Sequence, residues 1–128
     1  MINVQLLLAV AAGGALGSVA RYLAGIGSAK LFGLAFPWGT LLINIAGSFL
    51  IGAFVELFAL KWDLPQEARV FLTVGICGGF TTFSTFSLDA YVLMERGDWG
   101  LAAAYMIGSV VLSIGALFAA LHLVRAAV

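Results

Sequence analysis

Residues 75–86 read GICGGFTTFSTF and lie inside an apolar stretch running from Ala68 to Met94. Gly75, Gly78 and Gly79 each cost about 1 kcal/mol against Ala in a helix, and clustered so closely they predict a break. In hydrocarbon a break exposes amides and carbonyls, which persist only where protein, water or an ion satisfies them. Broken helices in transporters use freed carbonyls for cations and amide ends for anions. For Gly75 the alternative is close packing of a glycine face. Hydroxyls follow at Thr81, Thr82, Ser84 and Thr85, and Phe80, Phe83 and Phe86 recur every third residue. Phe83 and Phe86 share a side of any helix built here. Their rings have electropositive edges that meet an anion without holding it tightly.

The rest of the chain sets the medium. Of its 128 residues 63% are hydrophobic and 9% charged, against about 25% charged in a soluble domain. Four stretches reach the roughly 20 apolar residues of a membrane helix: Val4–Gly27, Phe36–Leu60, Ala68–Met94 and Gly100–Val124. The expected fold is an all-α membrane protein, a single four-helix domain over residues 1–128 with a break in its third helix. The start MINVQ has no basic residue, which favours a retained helix over a cleaved signal. Balanced charge, with six basic and six acidic residues, argues against a nucleic-acid surface. The single cysteine, Cys77, excludes an intrachain disulfide. No Cys/His cluster has metal spacing, and no nucleotide-binding motif is present.

Polar residues recur at helical spacing. Thr40, Asn44 and Ser48 stand four apart in the second stretch, and Tyr105, Ser109 and Ser113 four apart in the fourth. Each set lies on one face, and two matching faces suggest the borders of a common polar track. Thr and Ser can bond back to their own helix, but the Asn44 carboxamide either joins helices or lines a path. In the first stretch Ala9, Gly13, Gly17 and Arg21 repeat at four, a small-residue face for helix packing. Arg21 either snorkels to the interface or attracts anions at a pore mouth. With Asp89 the most embedded acid, there is no carboxylate ring for a cation. A small anion fits better, since a full positive charge in the path would trap it.

Loop charge sets little orientation. With the N-terminus inside, Lys61, Arg69 and Arg125 fall on the cytoplasmic side and Arg21, Lys30 and Arg96 opposite, so the positive-inside bias vanishes. A chain that inserts both ways can pair with an inverted copy of itself, and a polar pathway is easier to build between two such small bundles.

GICGGFTTFSTFS at 75–87 closely resembles the GFCGGLTTFSTFS signature of the Fluc (CrcB-type) fluoride channels. GTLLINIAGSFLIG at 39–52 resembles that family's GTLxxNxxGxFxIG, and GSVAR at 17–21 also matches. Ile76 and Phe80 depart from the usual Phe and Leu, and Asp89 stands where Glu is common. The resemblance implies a dual-topology, antiparallel homodimer in the inner membrane of a bacterium or similar microbe. It would be no enzyme, but a passive exporter conferring fluoride resistance through two antiparallel pores. It also implies a structural Na⁺ at the dimer centre, held by backbone carbonyls at Gly78 and Thr81. Phe83, Phe86 and Asn44 match pore residues, Thr40, Ser84, Thr85, Tyr105, Ser109 and Ser113 fall on or beside the polar track, and Arg21 matches a vestibule residue. The competing classes are a proton-coupled transporter using Asp89 and a membrane subunit whose polar stripes serve only assembly.

Overall fold

A computed structural model describes residues 2–128. Four helices among them are long and apolar enough to cross a membrane. The first, α1 (Val4–Phe32), begins at Asn3, whose side chain accepts from the amides of Gln5 at 2.8 Å and Leu6 at 3.4 Å. That cap satisfies amides the first turn leaves open. The helix continues beyond the expected end at Gly27 because small residues and Lys30 do not stop it. It ends where Gly33 adopts φ 76° and donates to the Ala29 carbonyl at 2.9 Å, a backbone turn favouring glycine.

The second helix, α2 (Trp38–Leu60), starts after Pro37 and ends as Lys61 and Trp62 donate to the Leu57 carbonyl. The third span is composite: α3 (Gln66–Val70), a π-helical segment (Phe71–Cys77), α4 (Gly78–Phe80) and α5 (Phe83–Glu95). Gly97, with φ 82°, helps turn the chain into α6 (Trp99–Ala127). Apart from the longer C-terminal end of α1, the helices run within about a turn of the expected spans.

The break falls at Thr81 and Thr82, not at the glycines. Both threonines are extended, with φ/ψ of −85°/159° and −154°/120°. Gly75, Gly78 and Gly79 remain helical, and two of them serve packing. A Cβ on Gly75 would stand 2.8 Å from Gly13 Cα, and one on Gly79 would stand 2.7 Å from the Gly14 carbonyl oxygen. Gly17 faces Ile76 and Phe80 so closely that a methyl there would strike backbone. The small-residue face of α1 therefore lies directly on the third span's main chain, as glycine-lined membrane helices do.

On the other side of the molecule α2 packs along α6. These helices run in the same direction, since Gly52 meets Leu117 and Ala120, and Glu56 pairs with Arg125 further along. Leu41, Ala90, Leu93, Ala102 and Tyr105 form the buried core between α2, α5 and α6. Outside that core the surfaces of α1 and α6 are largely exposed Leu, Ile, Val and Phe. Lipid is the solvent that such a surface requires.

Candidate functional site

Breaking the span at Thr81–Thr82 frees main-chain groups, and the surrounding helices take up some of them. The Thr81 amide and hydroxyl both donate to the Cys77 carbonyl, at 3.0 and 2.9 Å. Asn44 holds Thr82 at two points: its Nδ2 donates to the Thr82 carbonyl at 3.1 Å, and its Oδ1 accepts from the Thr82 amide at 2.9 Å. The Thr82 hydroxyl accepts from the Thr85 amide at 3.2 Å, capping α5. Arg21 Nε donates to the Gly79 carbonyl at 3.2 Å. The carbonyls of Gly78 and Thr81 have no donor among the described residues.

Two cavities flank this junction. One, of about 360 Å³, is lined by Asn44, Ser48, Gly78, Thr81, Phe83, Phe86, Ser109 and Ser113 among others. The other, of about 580 Å³, holds Arg21, Thr40, Thr85, Asp89 and Arg96. Thr82 borders both. The smaller cavity joins the Phe pair to the α6 stripe: the Phe83 and Phe86 rings stand 5.3 Å apart at 48°. Ser109 Oγ and Ser113 Oγ are buried with no hydrogen-bond partner among the described residues. A buried hydroxyl left unpaired costs about 1–3 kcal/mol, so both oxygens keep hydrogen-bonding capacity that this chain does not use.

Other expected site residues fall differently. Tyr105 is only 1% exposed and belongs to the core, against Phe86 at 5.1 Å and Phe36 at 5.6 Å. Its hydroxyl donates to Asp89 Oδ2 at 3.1 Å, linking the α6 stripe to the larger cavity. Ser84 lines neither cavity; it is exposed, 3.3 Å from the Thr82 hydroxyl. Phe83 lines the smaller cavity yet is 78% exposed on this chain. Arg21 does not simply snorkel, because its Nε is engaged by the break.

Two features escaped the sequence reading. Thr82 caps α5, pairs with Asn44 and borders both cavities; the only local signal was a Thr placed three residues before Thr85. Glu56, buried at 9% exposure, accepts from Arg125 Nε at 3.0 Å and Nη2 at 3.3 Å. A separation of 69 residues hid that pair. Among the described residues no three His, Cys, Asp or Glu side chains converge as metal ligands. The available hard-oxygen donors are main-chain carbonyls.

Four apolar spans, a third one broken at Thr81–Thr82 and two cavities at that break belong to a multi-pass membrane protein. The chain matches the family profile described as CrcB-like protein, Camphor Resistance (CrcB), over residues 8–121. It is 70% identical to a protein of Nitrobacter winogradskyi over 119 residues, covering 93% of this chain and 94% of that one. To a protein of Agrobacterium fabrum it is 58% identical over 125 residues, 98% of each chain. To one of Rhodospirillum centenum it is 54% identical over 124 residues, 97% of this chain and 98% of the other. All three relatives are named "Fluoride-specific ion channel FluC", an ion channel's name and not an enzyme's. The chain belongs to the CrcB family.

Proposed function

We propose that this protein is a fluoride-selective channel that lets the anion leave the cytoplasm passively. The observation that carries the reading is the smaller cavity, where two buried, unpartnered hydroxyls, Ser109 and Ser113, face the same space as the Phe83 and Phe86 rings. Hydroxyl hydrogens and ring edges together replace part of an anion's hydration shell without a fixed positive charge to trap it. Fluoride, the smallest halide, suits such a narrow track. Hydrogen fluoride enters an acid-stressed cell as a neutral molecule and ionises inside. The anion then needs only an exit, since a negative interior drives it outward by about 2.3 kcal/mol per 100 mV. Fluoride passes from the larger cavity beside Arg21, Thr40 and Thr85, past the Asn44–Thr82 junction, to the Phe pair and the Ser stripe.

The working unit in this reading is an antiparallel homodimer with two pores, in the inner membrane of a bacterium or similar microbe. Its support is the exposed Phe83 ring and the exposed Gly78 beside an unfinished cavity, together with the balanced loop charge. A structural Na⁺ fits the main-chain carbonyls of Gly78 and Thr81, which lack donors on this chain; hard cations take such oxygen ligands. When bound, it supplies positive charge that holds the carbonyls of two chains together. Asn44 keeps the break open in the meantime by occupying both Thr82 groups.

Proteoliposomes loaded with fluoride test the assignment. Rapid efflux that needs valinomycin and no proton counterflow is expected. Efflux strictly coupled to protons would reassign the chain as a transporter with Asp89 as the coupling acid, and absent efflux would leave the polar stripes with assembly alone.

A further inference from the structure

We propose that Arg21 is a positioning residue for the broken span, acting through the Gly79 carbonyl rather than as a free charge at the pore mouth; this rests on the channel reading above. In an uninterrupted helix the Gly79 carbonyl would accept from the amide of residue 83. Phe83 instead opens α5, so that donor is lost. Arg21 Nε supplies the substitute donor at 3.2 Å, across 58 residues of chain. Its other nitrogens make no hydrogen bond among the described residues.

Reach is secured independently by backbone packing. Gly14, Ser18 and Arg21 form one stripe of α1, and a Cβ on Gly79 would stand 2.7 Å from the Gly14 oxygen and 3.2 Å from the Ser18 amide nitrogen. At this separation the guanidinium stem arrives over Gly79 with little freedom. The donors around the break are also selective: Cys77 and Gly79 carbonyls are engaged, while those of Gly78 and Thr81 are not. Successive helical carbonyls point about 100° apart around the axis. Drawing the Gly79 carbonyl onto α1 therefore turns the Gly78 carbonyl away from α1, toward the side where Gly78 is exposed. It also fixes where α5 begins, and with it the Phe83 and Phe86 rings.

Three substitutions separate hydrogen bond from charge. Arg21→Gln keeps an N–H at the atom position of Arg Nε and removes the charge. Arg21→Lys keeps the charge and has carbon at that position. Arg21→Met keeps the length and has neither. Fluoride efflux from proteoliposomes and hydrogen exchange of the 81–86 amides are read on each. Arg21→Met is expected to slow efflux about ten-fold, as loss of one charge-assisted hydrogen bond implies, and to speed exchange at the break. Arg21→Gln recovers most of both losses and Arg21→Lys does not. The efflux ratio of wild type to Arg21→Met stays constant as salt is raised, whereas an attracting charge would be screened. Arg21→Lys matching wild type while Arg21→Gln falls with Arg21→Met, or break amides that exchange alike in all forms, overturns the proposal. Should Arg21→Met fail to fold, the Gln and Lys variants still decide it. Should the wild type conduct no fluoride, the channel reading falls, and the exchange measurement alone decides the role of Arg21.

Discussion

At the scale of single residues, the polar groups of the track divide into those already bonded and those left open. Asn44 is bonded. Its carboxamide lies 38 residues from Thr82, so the sequence showed a polar face but not its partner. Asn44→Ala strands a Thr82 amide and carbonyl, and should destabilise the detergent-solubilised protein by about 2 kcal/mol while slowing efflux. Ser109 is open, and Ser109→Ala should behave oppositely in the two assays. Removing an unpaired buried hydroxyl leaves thermal stability unchanged or slightly higher, but slows fluoride passage; equal efflux in the variant would return Ser109 to packing. Phe86→Ile or Phe83→Ile keeps an apolar side chain and deletes the ring edge. Efflux should drop about ten-fold or more, equivalent to roughly 1.4 kcal/mol on the barrier, with oligomer size unchanged on a sizing column. Hydroxyl stripes at spacing four were legible because helix geometry alone places them on a face. Whether a given hydroxyl is satisfied depends on neighbours from other helices, which no local pattern contains.

Among elements, length and hydropathy were enough to locate the four spans, while the site of the break was not. Glycine frequency pointed to 75–79, yet Gly75 and Gly79 are spent on contact with α1, and the chain opens at the β-branched pair Thr81–Thr82. Only the partner helix distinguishes a glycine that breaks from one that packs. Gly17→Ala or Gly79→Ala should therefore push α1 off the third span. A loss of about 3 kcal/mol or more is expected, read as a fall in thermal midpoint in detergent. Gly27→Ala, with open space around the new methyl, should be neutral or slightly stabilising because Ala favours helix. Similar losses at both sites would mean the two helices are not in backbone contact.

For the whole molecule, the near-equal distribution of Lys and Arg carries the argument for an inverted partner. Adding two Lys to one connecting loop should impose a single orientation by the positive-inside rule. Efflux should then collapse in cells expressing that form alone and return when a form with Lys on the opposite side is co-expressed; undiminished efflux from the single form would exclude the antiparallel dimer. Dimerisation was inferred from charge and size, whereas the Glu56–Arg125 pair could not be, since it links the ends of α2 and α6. That pair also bears on the order of synthesis. Glu56 enters the membrane with α2 and must wait through 69 further residues before Arg125 exists. The Glu56 carboxylate near the end of α2 thus acquires its partner only once the last turn of α6 has been made.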